Sequence, residues 1–290
     1  MRKLIVTGDD FGLAIPVNEA VEEAHRRGIL TTASLMVSAA AASDAIRRAQ
    51  ALPSLRVGLH LVLVEGRPVL PSSAVPDLVD AQGEFSSHLV RAGIKFFFHP
   101  RVRRQLEAEI HAQFDAFRRT GLALDHVNAH NHMHLHPTVL GLILKVGREY
   151  GLKAVRVPYE PFVPSWLMAR NAFFSRLAGS LLLFPWIILM RRRLARAAIQ
   201  SNQFVFGLHD SGDLHLELVL RIVQRLPQGV TEIYFHPATS RCPELLRTMP
   251  TYHHQSEFDT LTNPALRDLL MSSGVQRIAF SDLAEATACG

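Results

Sequence analysis

Short apolar runs alternate with amphipathic stretches along most of the chain. Runs rich in β-branched and other apolar residues predict strands at Lys3–Thr7, Thr32–Val37, Arg56–Leu61, Leu124–Ala129, Ala154–Val157, Phe204–Gly207, Glu232–Phe235 and Arg277–Phe280. Helical spacing of apolar residues predicts helices at Val17–Arg27, Ala41–Ala51, Arg103–Thr120, Thr138–Tyr150, Leu214–Arg225 and Pro264–Ser273. This alternation is typical of βαβ units around a parallel sheet. We therefore expect an α/β fold with an irregular (β/α) barrel-like sheet, and an open doubly wound sheet is the alternative.

Two stretches do not follow the alternation. Residues 63–100 are rich in Pro, Gly and Ser and are interpreted as a long loop, whereas residues 158–203 resemble an insertion. No internal repeat or linker divides the chain, and its 290 residues fit one barrel-type domain. We expect a single domain over residues 1–290 with an insertion at 158–203.

The insertion contains an apolar segment next to a basic one. Leu177–Met190 is a run of 14 uncharged residues that includes Pro185 and is followed by Arg191, Arg192 and Arg193. A membrane-spanning helix needs roughly 20 apolar residues, so we do not expect this segment to cross a membrane. It is either a buried helix or a segment that lies on a membrane with its arginines at the headgroups.

Charge and cysteine content bear on partners and compartment. The chain has 31 Lys and Arg against 26 Asp and Glu, a formal charge of +5, which favours anionic surfaces but does not indicate a fold. Its two cysteines, Cys242 and Cys289, form no disulfide framework and no Cys-x-x-Cys motif. The N-terminal apolar run is too short for a secretory signal. These features predict a cytoplasmic protein.

Polar residues stand at the ends of several predicted strands, where sites form in α/β proteins. Asp9 and Asp10 follow the first strand, and two adjacent carboxylates there are costly unless a cation neutralises them. One of them could instead cap the next helix. His60 ends the third strand, where a histidine on its own is also compatible with a core position.

A histidine-rich run is the strongest local signal. Five of the 15 histidines lie within 11 residues: His126, His130, His132, His134 and His136. In an extended chain the last four of them would share one side. Neutral imidazole is a common ligand of divalent transition metals. The spacing matches neither zinc proteases of the His-Glu-x-x-His type nor a Cys/His finger, and only some of these histidines can be ligands.

A further histidine, His236, ends a later predicted strand and could act as an acid or base near neutral pH. Two histidines with one carboxylate leave coordination positions free for water and substrate, as in catalytic metal sites, and a second Asp could then act as base. His209, His253 and His254 receive no role.

Four motifs in this order resemble the YdjC-like, or ChbG-type, carbohydrate deacetylases. They are Asp9-Asp10-Phe11-Gly12, Gly58-Leu59-His60-Leu61, Asn128-Ala129-His130-Asn131-His132 and His236-Pro237-Ala238. The resemblance extends over essentially the whole chain. Within the family, the chain is similar to the hopanoid-biosynthesis-associated branch called HpnK through Gly58 to Pro71, Phe96 to Gln105 and Asn128 to Pro137.

The resemblance implies a (β/α) barrel-like fold and hydrolysis of the N-acetyl group of an acetylated amino sugar. It implies that Asp10, His60 and His130 bind one divalent metal ion, for which Zn²⁺, Mg²⁺, Mn²⁺ and Co²⁺ are all suitable, and it marks Asp9 as general base and His236 as assisting general acid. Two positions differ from the usual pattern: Gly8 replaces an Ala, and Asn128 replaces an Asp that many members carry, so that a carboxylate supporting the metal ligands is missing.

The hopanoid branch implies an acetylglucosaminyl hopanoid as substrate and peripheral contact of residues 177–196 with the inner face of the membrane. His132 and Arg156 are weaker candidates for sugar contacts, and a salt bridge is an equal explanation of Arg156. We expect no nucleic-acid partner, and a homodimer stays open. The competing hypotheses are a deacetylase of soluble chitooligosaccharides, a non-catalytic lipid-binding barrel and another metal hydrolase such as a two-metal phosphoesterase.

Overall fold

The first strand of the chain is the centre of a seven-stranded, all-parallel sheet in this computed structural model, which describes residues 1–283. The strands are β1 (Arg2–Phe11), β2 (Thr32–Leu35), β3 (Arg56–Leu61), β4 (Leu124–Ala129), β5 (Phe204–Phe206), β6 (Gly229–Phe235) and β7 (Gln276–Arg277). Their order is β4-β3-β2-β1-β6-β5, and β7 pairs with the first half of β1. The predicted last strand is therefore shorter than expected.

The two outer strands of the sheet are connected through the segment 154–159. Val127 of β4 forms a parallel bridge with Val155, and Ala154 forms another with Gln200. The backbone N–H of Val205 in β5 donates to the carbonyl of Tyr159 at 2.9 Å. Strands β1 to β6 thus follow one another around the sheet in chain order, whereas β7 pairs with β1 on the side away from β6. This confirms the barrel-like fold and excludes the doubly wound alternative, in which the strand order reverses at a switch point.

The helices lie between the strands along the chain. They are α1 (Ile15–Arg27), α2 (Ala42–Gln50), α3 (Leu89–Phe98), α4 (Pro100–Arg119), α5 (Pro137–Gly147), α6 (Phe162–Ala169), α7 (Phe173–Arg196), α8 (Leu216–Gln224), α9 (Pro243–Thr248), α10 (His254–Thr262) and α11 (Pro264–Ser272). All six predicted helices are present with small shifts at their ends. The segment Ala154–Val157, predicted as a strand, contributes only the isolated bridges.

The inward side of the barrel changes from apolar to polar along the strands. At the lower end, Ile5 packs with Ala154, Ile278 and Phe280. Because side chains alternate along a strand, the next inward positions of β1 are Thr7 and Asp9. The Thr7 hydroxyl donates to Glu232 of β6 at 2.6 Å, and both side chains are fully buried. A buried polar network therefore occupies the upper part of the barrel, directly below the strand ends.

Helices occupy both stretches that departed from the predicted alternation. The expectation of a long loop over residues 63–100 is wrong for its last part, because α3 forms there. The insertion contains α6 and α7. Helix α7 is 24 residues long and is not interrupted at Pro185. Proline costs a helical hydrogen bond but does not end this helix.

Within residues 1–283, α7 alone is long and apolar enough to cross a membrane by length and composition, which the 14-residue run did not indicate. Arg176 near its start is buried, donates to Asp210 at 3.0 Å and lies 3.5 Å from Glu160. Near its other end, Met190 and Leu194 are buried in the core. Both ends of α7 are therefore anchored to the domain, while most of the helix between them is exposed.

Candidate metal centre

Three side chains from the ends of β1, β3 and the segment after β4 meet in one buried cluster. Asp10 Oδ1 lies 3.2 Å from His60 Nε2 and 3.2 Å from His130 Nδ1, and the three donor atoms lie within 4.8 Å of one another. Donors bound about 2.1 Å from one tetrahedral ion are roughly 3.4 Å apart, so these separations suit a single ion. Within residues 1–283, this is the one cluster of three potential ligands.

The unpaired atoms of the cluster also suit a cation. Oδ2 of Asp10 and Nε2 of His60 are buried and have no hydrogen-bond partner in the described part of the chain. Burial alone would raise the pKa of the Asp10 carboxyl, but His130 and His60 lower it well below its usual range. Burial likewise opposes a charged His130, yet Asp10 raises the pKa of that imidazole to about 10. The Asp10 carboxylate is thus stabilised by positive charge on His130, and a divalent cation that replaced the proton of His130 would supply the same charge.

Asn128 orients His60 from the neighbouring strand. His60 Nδ1 lies 2.7 Å from Asn128 Oδ1, and because that oxygen can only accept, the ring carries its proton on Nδ1. Nε2 is then a free lone pair directed at Asp10. Asn128 therefore orients His60 without a carboxylate, in the way that a partner of the non-coordinating nitrogen commonly orients a metal-bound histidine.

Gly58 allows β3 to pass close to a buried histidine. A Cβ at this position would lie 2.4 Å from the His126 ring. That ring is held by Asp125 at 2.9 Å and Ser34 at 3.0 Å, and it stacks on Phe280 at 4.4 Å between centroids. His126 is thus a structural residue, and the glycine of the Gly-Leu-His motif is required by its position.

Asp9 is fixed by a buried arginine. Arg156 donates to both oxygens of Asp9, at 2.6 and 3.0 Å, and also to both oxygens of Glu232, at 2.7 and 2.9 Å. Burial raises the pKa of Asp9, but Arg156 outweighs it and lowers this pKa far below the usual range. Arg156 is fully buried and forms the salt bridge that was the alternative to a sugar contact.

The side chains of Asp9 and His236 line a cavity of about 290 Å³ together with the ligand histidines, and this space is called the metal cavity below. The backbone N–H of His236 donates to Glu257 Oε2 at 2.6 Å, and the backbone carbonyl oxygen of His236 lies 2.6 Å from His254 Nδ1. Burial lowers the pKa of His236 to about 4, so its ring is neutral at pH 7. His254 thus helps to position His236, a function that the sequence did not indicate.

The histidine run is not extended, so the expectation that its last four histidines share one side is wrong. Asn131 and His132 have φ angles of 51° and 53°, which turn the chain inside a short 3-10 segment, His130–Leu135. His130 and His132 line the metal cavity, and His132 Nε2 lies 3.0 Å from the Tyr234 hydroxyl. His134 is fully buried and accepts from the Ala129 N–H at 3.0 Å, and His136 caps α5.

Sequence reasoning missed Glu65, Tyr234 and Tyr252, which all line the metal cavity. Glu65 Oε2 lies 3.7 Å from His130 Nε2 and accepts from Asn131 at 2.7 Å. Its φ of 52° is unusual for a residue other than glycine. Asp10, with a φ of 59°, shares this feature with Glu65, Asn131 and His132, and such backbone strain concentrates at functional sites. Tyr234 could have been noticed from its place two residues before His236.

A larger cleft of about 540 Å³, called the outer cleft, adjoins the metal cavity and shares Glu65 and Thr248 with it. Its polar rim includes Glu84, which pairs with Arg67 at 3.3 Å and with Arg247 at 2.9 Å. The metal cavity is therefore part of a longer depression that could hold a ligand larger than one sugar ring.

Comparison with known proteins shows the family of the chain. The model of the family described as YdjC-like protein matches residues 3–272. The chain belongs to the YdjC-like family. A protein named carbohydrate deacetylase from Brevibacillus brevis is 33% identical over 288 residues, covering 97% of this chain and 99% of its own. Another of that name from Geobacillus stearothermophilus is 30% identical over 285 residues, with 97% and 98% covered.

The fold of this YdjC-like chain also matches a solved structure. A putative cellobiose-phosphate cleavage protein from Enterococcus faecalis V583 superposes with a TM-score of 0.75 at 24% identity, over 97% of this chain and 98% of that one. This similarity supports the barrel-like fold alone.

Proposed function

We propose that the protein is a metal-dependent deacetylase that hydrolyses the N-acetyl group of an acetylated amino sugar. The observation that carries this proposal is the cluster of Asp10, His60 and His130 in a polar cavity with Asp9 and His236 on its wall. Relatives that cover nearly the whole chain carry the name carbohydrate deacetylase. The cluster has the two-histidine, one-carboxylate composition of catalytic metal sites, and it leaves room for water and substrate.

The residues of the cavity can perform the two proton transfers of amide hydrolysis. A divalent cation held by Asp10, His60 and His130 would polarise the acetamide carbonyl and lower the pKa of a nearby water. Asp9, held in one orientation by Arg156, accepts the proton that the water loses as it attacks. His236, which is neutral at pH 7, passes to the amine nitrogen the proton that Asp9 has taken from the water, as the C–N bond breaks. General acid–base assistance of this kind is typically worth about 10²–10⁴-fold.

The substrate that we propose is an amino sugar carried by a membrane lipid, an acetylglucosaminyl hopanoid. The similarity of the sequence to the hopanoid-associated branch supports this choice. The long apolar helix α7, most of which is exposed, supports it as well, since a polycyclic lipid remains at a bilayer while its sugar is processed. Contact of residues 177–196 with the inner face of the membrane is part of this proposal.

A soluble chitooligosaccharide is the second candidate substrate, and the outer cleft favours it. The cleft continues the metal cavity and has Arg67, Glu84 and Arg247 at its rim, where hydroxyl groups could form hydrogen bonds. A second sugar ring of a soluble oligosaccharide would lie there without any contact to a membrane.

Acetate release from the purified full-length protein tests the proposal. The protein is incubated with acetylglucosaminyl hopanoid and, separately, with diacetylchitobiose, with and without a chelator. Chelator-sensitive acetate from the lipid but little from the disaccharide would support the lipid substrate, and the reverse would support the soluble one. No chelator-sensitive release from either compound would contradict the enzymatic function.

The variant His130→Gln should lose both metal and acetate release. The matched control is His136→Gln, in the same histidine-rich run, because His136 caps α5 and does not line the metal cavity. Metal content by mass spectrometry of the native protein separates the two variants.

A further inference from the structure

One side of the domain exposes many large apolar side chains from three helices, α3, α6 and α7. They are Val90, Ile94, Phe97, Phe98, Val163, Leu167, Phe173, Phe174, Leu181, Leu182, Phe184, Trp186 and Leu189. Val90, Ile94, Phe97 and Phe98 of α3 line one groove of about 450 Å³ together with Trp186 of α7. We call this side, formed by the exposed residues of α3, α6 and α7, the apolar face. Soluble proteins rarely expose patches of this kind without a partner.

The net charge of the protein is concentrated in the same two parts of the chain. Residues 85–106 and 161–209, which include these helices, contain 11 Lys and Arg and no Asp or Glu. The rest of the chain contains 20 basic and 26 acidic residues, which gives it a formal charge of −6. The basic excess is therefore a property of the segments that carry the apolar face and not of the whole surface.

Several of these basic side chains are free to meet an external partner. Arg91, Arg104, Arg192 and Arg196 are exposed and form no ion pair with any residue between 1 and 283. Arg192 and Arg196 belong to the last turns of α7, and Arg91 belongs to α3. Exposed apolar side chains and unpaired arginines on the same helices, α3 and α7, match the interface of a membrane, where acyl chains lie beneath anionic headgroups.

We infer that the apolar face docks on an anionic lipid bilayer, with α3 and α7 together forming the contact. The contact is thus larger than residues 177–196 and includes α3, whose Phe97 and Phe98 would enter the lipid beside Trp186. The inference concerns the surface alone and rests on the proposed function only for the lipid nature of the substrate.

The charge distribution disfavours a second copy of the chain as the occupant. A symmetric dimer through the apolar face would bring two sets of arginines together, and the segments that form the face contain no acidic residue to pair with them. Like charges juxtaposed across an interface cost several kcal/mol. A bilayer with anionic lipids supplies the missing negative charge and an apolar layer at once.

The position of the groove relative to the site is consistent with this orientation. Leu135 and His136, at the end of the segment that begins with the metal-ligand candidate His130, line the groove. Leu89 lines the metal cavity, whereas the next residue, Val90, lines the groove. A lipid whose apolar part lies in the groove would therefore have its headgroup close to the entrance of the cavity.

Co-sedimentation of the full-length protein with vesicles tests the inference. Phosphatidylcholine vesicles with and without phosphatidylglycerol are compared at low and high salt. We expect binding to the anionic vesicles that weakens with salt. Phe98→Ser should reduce the partition coefficient by about tenfold, and Arg192→Gln by about fivefold. Met271→Ser and Arg267→Gln on α11 are the controls and should bind as the unmodified protein does; Met271 is 68% exposed and Phe98 is 69% exposed.

Two further measurements distinguish the outcomes. Circular dichroism and the melting temperature show that each variant is folded, and acetate release from acetylglucosaminyl hopanoid or from diacetylchitobiose shows whether the site is intact. Vesicle binding without acetate release would support the surface and contradict the proposed function. Acetate release without vesicle binding would contradict the surface. If vesicles do not bind and Phe98→Ser instead removes a dimer seen by analytical ultracentrifugation, the face is a self-association surface and the inference is wrong.

Discussion

Arg156 holds both carboxylate oxygens of Asp9, with N–O distances of 2.6 and 3.0 Å, in the fully buried upper part of the barrel. The same guanidinium binds Glu232, so two buried carboxylates share one cation. This arrangement fixes the orientation of Asp9 and also makes it a weak base in the resting protein.

Replacement of Arg156 by glutamine should destabilise the fold strongly. It leaves two buried carboxylates without their cation, and removal of one partner of a buried ion pair typically costs about 3–5 kcal/mol. Urea unfolding monitored by circular dichroism measures this loss. Arg221→Gln is the control, since its pair with Glu217 lies on the surface and is worth less than about 1 kcal/mol. Similar losses of unfolding free energy in both variants would show that the buried ion pair contributes no more to stability than the surface pair does.

Asp9→Asn and Asp10→Asn should separate two functions of adjacent residues. Asp10→Asn should lose the bound metal, because its carboxylate is the anionic donor of the cluster. Asp9→Asn should keep the metal and lose turnover by about 10²-fold or more, since it removes the proposed base. Isothermal titration with Zn²⁺ and acetate release are measured on both proteins. Loss of metal in Asp9→Asn with retention in Asp10→Asn would mean that the two roles are exchanged.

Gly58→Ala should destabilise the protein by about 1–3 kcal/mol, the usual cost of overpacking. The new Cβ would lie 2.4 Å from the His126 ring, which Asp125, Ser34 and Phe280 hold in place. The strand must then move, and His60 two residues later should bind metal more weakly.

Gly93→Ala in α3 is the control for this change, because its Cβ would have its nearest contact at 3.6 Å and alanine favours helix. Unfolding free energies and Zn²⁺ affinities of the two variants are compared. An unchanged affinity in Gly58→Ala would show that β3 absorbs the clash without moving His60.

Glu160 should make stability depend on pH. Burial raises its pKa from 4.5 to about 7, so the folded state binds this proton more tightly than the unfolded state does. Its contribution is therefore greatest below about pH 4.5 and is lost as the pH rises through about 7. Relative to Glu160→Gln, the unmodified protein should lose up to about 3 kcal/mol of unfolding free energy between these values.

The comparison with Glu160→Gln cancels the effects of the histidines and of Glu257, whose pKa burial also raises to about 7. Urea unfolding at a series of pH values measures the difference between the two proteins. Glu217→Gln on the surface of α8 should follow the unmodified protein at every pH. Parallel curves for Glu160→Gln as well would mean that Arg176 keeps Glu160 ionised in the folded state.

The strands and the residues of the candidate metal centre could be predicted to lie together because they depend on local sequence. Asp10, His60 and His130 follow apolar strands, and parallel strands bring their carboxyl ends to one edge of the sheet. Arg156 was recognised as a strand-end residue, but its pairing with Asp9 joins positions 147 residues apart and leaves no local pattern. The same holds for Arg176 and Asp210, whose pairing buries a charge within α7, so that the helix begins before the apolar run that starts at Leu177.

The histidine run and α3 were mispredicted for different reasons. The alternation of side chains assumes an extended backbone. Asn131 and His132 adopt left-handed conformations that turn the chain, and the sequence has no glycine there that would indicate a turn. Residues 63–100 contain enough Pro, Gly and Ser to indicate a loop, and α3 is a helix of only ten residues at the end of this stretch, with most of its large apolar side chains exposed.

Neighbouring residues of α3 line two different cavities of the protein, since Leu89 lines the metal cavity and Val90 lines the apolar groove. A rigid helix cannot move one of these side chains without moving the other. Occupation of the groove by a lipid would therefore reposition a wall of the cavity, and chemistry at the metal would depend on whether the protein sits at an interface. Such coupling would make hydrolysis of a lipid-borne sugar faster at the membrane surface than in solution.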